Sequence, residues 1–167
     1  MMNGLLLKFL ALYLGGQPLF AAPTFLSRGP GAEGAVLGPA AVSVVQDPTS
    51  LFWSPAGLAS AGGVVSGEHL FLVDGARYDF AGLSVPSKLG TFGLGALQLH
   101  RGNAVARTAI DDPGTEVTSS QADYLAGFGR RFGDKWSAGA TLKVLEINVA
   151  GCHGRGAGRE VGGRFAS

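Results

Sequence analysis

Between Val64 and Val149 the chain falls into five alternating runs, each about ten residues long, the length of a tilted strand crossing a bilayer. The first is VVSGEHLFLV (Val64 to Val73), which meets ARYDFAGLSVP (Ala76 to Pro86) across Asp74-Gly75. An Asp-Gly between apolar runs is a strong hairpin signal. TFGLGALQLHR (Thr91 to Arg101) follows Ser87-Lys88-Leu89-Gly90, and QADYLAGFGRRF (Gln121 to Phe132) meets KWSAGATLKVLEINV (Lys135 to Val149) across Gly133-Asp134. The period of two predicts an antiparallel sheet with two unlike faces. In the fourth run Ala122, Tyr124, Ala126 and Phe128 share one face, and in the fifth Trp136, Ala138, Ala140, Leu142 and Val144 do. The opposite faces are small or polar, with Gln121, Asp123, Gly127 and Arg131 on one strand, where Leu125 joins them, and Ser137, Gly139, Thr141 and Lys143 on the next. A soluble sandwich has the same alternation, so the pattern leaves both environments open.

Three further features favour a membrane. Only 15% of the residues are charged, against about 25% in an ordinary soluble domain. Trp136 begins its strand and Tyr78 lies near the start of its own, as expected of aromatic girdles at the two interfaces. Finally, the second and third runs, and the fourth and fifth, are joined by tight turns, whereas Gly102 to Ser120 forms a long loop between the third and fourth. Short turns on one side and long loops on the other are the asymmetry of outer-membrane barrels. Asp74-Gly75 is a short exception on the outer side.

The N-terminus is consistent with export. MMNGLLLKFLALYLGGQPLFAAP has an apolar run from Leu5 to Leu14, interrupted by Lys8, followed by small residues at Ala21 and Ala22. It resembles a secretory signal peptide over 1–22, with a retained N-terminal anchor as the alternative. No other stretch has the ~18 apolar residues of a spanning helix.

Between leader and strands lies VVQDPTSLFWSPAGLASAGG, Val44 to Gly63. Asp47-Pro48 and Ser54-Pro55 each place an N-cap residue before a proline, predicting two short helical turns in series. Phe52 and Trp53 are too apolar for an exposed linker, and Gly57 and Gly62-Gly63 are expected to stop the turns. An ordinary surface helix burying its aromatics on a core would read the same way.

These residues carry a resemblance. A leader, a segment such as GAEGAVLGPAAVSVVQDPTSLFWSPAGLA (Gly31 to Ala59) and then Gly-rich alternating strands resemble the start of the FadL/TodX superfamily of outer-membrane transporters, and especially its PorV/PorQ-like branch. Asp47, Leu51, Phe52, Trp53, Pro55, Ala56, Gly57 and Leu58 match the family hallmark in order, with Ser54 where the family usually has Asn. The phrase FGDKWSAGATLKVLEI (Phe132 to Ile147) is similar to a family hairpin. The resemblance implies an all-β, up-and-down antiparallel transmembrane barrel. Residues 23–63 would form a hatch-like segment inside it and 64–149 its first five strands. It further implies passive transport of a hydrophobic compound past a hatch that shifts, in the bacterial outer membrane. Asp47, Phe52, Trp53, Ser54, Pro55, Ala56 and Gly57 would form the hatch motif. Implied partners are outer-membrane lipid and hydrophobic small molecules. The PorV-like branch implies instead a scaffold that binds secretion-system proteins without transport.

The family's barrels have about fourteen strands, and even the smallest closed barrel uses about eight. The tail, GCHGRGAGREVGGRFAS from Gly151, holds the only Cys, with three Arg and six Gly. Its break in alternation leads us to expect that 150–167 is irregular and marks a truncation or frameshift in a longer protein.

Other chemistry is sparse. The net charge of +1 gives no electrostatic case for nucleic acid. Cys152 has no partner Cys, and His69, His100 and His153 lack ligand spacing, so neither metal nor cofactor is expected. Asp111-Asp112-Pro113-Gly114 suits a turn better than a calcium loop. No nucleophile motif is present, and no enzyme is expected. A soluble exported β-sheet protein stays open beside the two membrane readings.

Overall fold

The computed structural model describes residues 29–72, 75–106, 115–149 and 151–165. The signal peptide, the first residues of the hatch-like segment, Asp74 and the Asp111–Gly114 turn lie outside them.

Six strands form one antiparallel sheet in chain order: β1 (Val64–Phe71), β2 (Arg77–Pro86), β3 (Thr91–Ala106), β4 (Thr115–Phe132), β5 (Trp136–Val149) and β6 (Cys152–Phe165). The sheet is all-β, up-and-down and open, with β1 and β6 as its edges. Every pair of neighbouring strands is antiparallel. Leu72 N–H donates to Ala76 O at 2.8 Å between β1 and β2, and Ser87 N–H donates to Gly90 O at 2.8 Å between β2 and β3. Gly133 and Gly151 hold positive φ of 66° and 83° in the β4–β5 and β5–β6 turns, which a side chain would strain.

Two sequence expectations need correction. The 102–120 stretch is not a loop throughout: β3 continues to Ala106 and β4 begins at Thr115, with a register irregularity between Arg101 and Ala104. Short polar and β-branched residues such as Val105, Thr115 and Val117 extend a ladder without a clean apolar alternation. The 150–167 tail is likewise not irregular, because 152–165 pair residue for residue with β5, from Val149↔Cys152 to Trp136↔Phe165. Its inward positions include four glycines, Gly154, Gly156, Gly158 and Gly162, so there were few side chains to alternate.

The N-terminal segment is a chain of single turns: α1 (Ala32–Leu37), a 3-10 turn (Gly38–Ala40), α2 (Ala41–Val44), α3 (Ser50–Trp53) and a second 3-10 turn (Pro55–Ser60). The helical part over Ala32–Val44 was not foreseen. The later part of the segment, Ser50 to Ser60, lies against one face of the sheet, and the core fills the gap. Leu51, Leu58 and Ala61 from the segment meet Tyr78, Phe80, Leu97, Leu99 and Leu125 from β2, β3 and β4. Fully burying Leu51 or Leu58 contributes about 2 kcal/mol each.

Tyr78 is therefore not a girdle residue. It shares the inward parity of β2 with Phe80, Gly82 and Ser84 and is 1% exposed. Trp136 faces the other way, with 60% of its surface exposed.

Candidate functional site: a glycine seat and an uncovered apolar face

The seat begins with Asp47. Its Oδ1 accepts from the Thr49 backbone N–H at 2.8 Å and from Thr49 Oγ1 at 2.5 Å, so the carboxylate caps the turn that leads into α3, as Asp-Pro predicted. Ser54 behaves differently. Its backbone opens the second 3-10 turn, its carbonyl accepting from Gly57 N–H at 2.9 Å, but its side chain makes no capping bond. Its hydroxyl lies instead against Gly162 of β6, 2.8 Å from where a Cβ would stand. Gly57 does not stop its turn, since it sits inside Pro55–Ser60. A Cβ there would fall 2.3 Å from the Val45 carbonyl oxygen, so the position is glycine because two passes of the segment touch.

Trp53 fastens the start of the segment. Its Nε1–H donates to the Pro30 carbonyl at 2.8 Å, and Gly29 and Gly34 leave room for its indole. Phe52 meets Trp53 edge to face, with centroids 5.4 Å apart, and presents its ring to Lys143 Nζ at 4.8 Å. Pro55 and Ala56 are buried against the sheet.

What receives them is a floor of glycines. Gly129, Gly139 and Gly162 stand side by side across β4, β5 and β6. A Cβ on Gly139 would lie 2.2 Å from the Pro55 carbonyl oxygen, one on Gly129 2.6 Å from the Ala59 nitrogen, and one on Gly162 3.0 Å from Pro55 Cδ. Higher up, Gly93, Gly95 and Gly127 form a hollow that takes the Leu51 side chain, with Gly127's absent Cβ 2.6 Å from Leu51 Cδ2. The inward glycines thus let backbone meet backbone, and they explain much of why the strands are glycine-rich. Side chains tie the segment down: Glu68 of β1 accepts from Gly31 N–H at 2.6 Å, Arg131 of β4 donates to Ser60 Oγ at 2.8 Å, and Lys143 of β5 donates to the Phe52 carbonyl at 3.2 Å.

The opposite face has an apolar band. Reading across the register, one row is Phe132, Trp136 and Phe165. Two rows up are Val85, Phe92, Phe128, Ala140 and Val161, then Val65, Leu83, Leu94, Ala126 and Leu142, then Ala81, Ala96, Tyr124 and Val144. Val65 is 86% exposed, Val161 72% and Leu142 65%, and no described residue covers them. Cross-strand ring pairs brace the lower rows: Phe92 with Phe128 and Trp136 with Phe165, each with centroids 4.8 Å apart. The next two rows up turn mostly polar: His69, Asp79, Gln98, Ala122 and Glu146, joined by Arg155, and then Phe71, Arg77, His100, Ser120, Asn148 and His153. His69 pairs with Asp79 and Arg155 with Glu146 in that polar collar. From the Phe132 row to the Tyr124 row the band is about 26 Å along the strands, or about 20 Å along the membrane normal at a barrel's tilt. Arg130, whose guanidinium lies 5.5 Å from the Phe132 ring, sits near the lower edge, within reach of an interface. Arg159 of β6 stands beside Leu142 inside the band.

The structure therefore gathers Asp47, Phe52, Trp53, Ser54, Pro55, Ala56 and Gly57 into one segment on one face. Sequence reading missed the glycine floor, Lys143 and Glu160; the inward period-two glycines Gly93, Gly95, Gly127, Gly129 and Gly139 were the available signal. Among the described residues no three His, Cys, Asp or Glu gather as a metal set. No family model, curated protein or solved structure matches the chain.

Proposed function

We propose that the chain is the plugged section of a bacterial outer-membrane β-barrel that passes hydrophobic compounds passively, with the helical segment as its hatch. The observation that carries this reading is the uncovered apolar band. It ends in aromatic residues below and a polar collar above, and it lies on the face away from the segment. A soluble sheet protein would turn this face toward a second layer, because exposed apolar patches beyond a few hundred Å2 are rare in water. The inward face suits a lumen in carrying Asp123, Lys143, Glu160 and Arg164 among its glycines. Lipid does not tolerate unpaired strand edges, so on this reading β1 and β6 pair with further strands in the membrane. The partners are then outer-membrane lipid and an apolar small molecule, and export through a signal peptide delivers the chain.

The tight seat also favours a second reading, that of a scaffold which binds secretion-system proteins and never opens. Cells expressing the full-length protein separate the two. A transporter is expected to speed entry of a hydrophobic dye relative to cells without the protein, whereas a scaffold leaves entry unchanged. Both readings fail if the product stays soluble without detergent and is absent from outer-membrane fractions.

A further inference from the structure

We propose that Lys143 is the latch fastening the helical segment to the sheet, an inference that builds on the reading of that segment as a hatch. Several contacts join segment and wall, but at Lys143 of β5 groups from β6 and α3 meet on one ammonium. Its Nζ pairs with Glu160 Oε2 of β6 at 2.5 Å and donates to the Phe52 carbonyl of α3 at 3.2 Å. It also lies 4.8 Å from the centre of the Phe52 ring. Asp123 of β4, itself buried, is a diagonal neighbour of Lys143 across the β4–β5 register.

Phe52 explains why a cation belongs there. α3 is a single turn ending at Trp53, so the Phe52 carbonyl has no following turn to accept from, and Lys143 supplies the donor. The ring beneath holds the ammonium over its negative face. Lys143 and Glu160 retain 23% and 37% of their side-chain exposure, so water can take over their bonds when the segment leaves. The contacts at the two ends differ in kind. Glu68 binds the backbone at Gly31, and Arg131 reaches Ser60 at an exposed rim. Lys143 instead acts at the middle of the segment, beside the Pro55 seat, where releasing one charge frees both the carbonyl and the ring.

Amide hydrogen exchange on the detergent-folded full chain tests this. Lys143→Met removes the charge and the donor while keeping most of the side chain's length. Amides of residues 50–61 are expected to exchange about tenfold faster or more, the scale of losing a charge-assisted hydrogen bond. Ladder amides of β3 and β4 should keep their rates, and Lys135→Met, in the exposed β4–β5 turn, should change nothing. Unchanged exchange over 50–61 overturns the proposal, and so does equal acceleration of segment and ladder, which marks a general loss of stability. If Lys143→Met does not fold, Glu160→Gln carries the same comparison, with selective acceleration of 50–61 again the expected result and its absence the contrary one. Selective acceleration without any change in dye entry leaves the latch standing and overturns the moving hatch instead.

Discussion

Gly139→Ala is expected to destabilise the folded chain by about 3 kcal/mol, near the upper end of ordinary overpacking costs. The added methyl would stand 2.2 Å from the Pro55 carbonyl oxygen and 2.4 Å from its carbon. Both are backbone atoms, so no rotamer change relieves the contact; either β5 bends or the second 3-10 turn lifts from its seat. Gly163→Ala on neighbouring β6 provides the control. Its Cβ would meet nothing within 4 Å, and the change is expected to stay within about 0.5 kcal/mol. Urea unfolding of the two variants and the parent in detergent measures both. Equal midpoints would mean that the segment does not sit on the Gly129–Gly139–Gly162 row. A loss at Gly139 alone ties stability to the seat, whichever environment surrounds the sheet.

The second large effect concerns the other face. Leu142→Arg places a charge in the middle of the apolar band, on a side chain that is 65% exposed. In a bilayer the substitution is expected to cost about 2–4 kcal/mol of folding into vesicles, the figure for Arg at the midplane of a membrane barrel. In water the same change on an exposed strand position would cost almost nothing and would improve solubility. Folding yield and urea midpoint in lipid vesicles decide between the two. Arg159, already beside Leu142 in the register, makes a complementary case. Arg159→Leu is expected to raise stability in vesicles by a similar amount, since it removes a charge from the same depth.

The alternation of β4 and β5 was legible because bulky residues occupy nearly every second position, so Tyr124, Phe128, Trp136 and Leu142 fixed their parity without a structure. Asp47 was legible for a local reason, because an Asp before Pro caps a turn whatever surrounds it. Tyr78 was misjudged because nearness to a strand end says nothing about face; its parity with Phe80 did. β6 was hidden because its inward side is mostly glycine, and a residue without a side chain shows no period. Lys143 and Glu160 lie 17 positions apart and meet only once β5 and β6 pair, so no local pattern could join them. The glycine floor was invisible as a floor for the same reason: Gly129, Gly139 and Gly162 form a row only in the register of three strands.

Whether the face bearing Trp136 meets lipid while the segment bearing Trp53 does not can be read directly from the chain's two tryptophans. Single-tryptophan proteins, Trp53→Phe and Trp136→Phe, would be folded into vesicles made with brominated lipid, which quenches only fluorophores that touch acyl chains. Strong quenching is expected of Trp136, exposed at the foot of the apolar band, and little of Trp53, whose Nε1–H is held by the Pro30 carbonyl on the opposite face. Quenching of Trp53 with Trp136 unaffected would mean the sheet faces the membrane the other way round, and no quenching of either would contradict a membrane role for this fold.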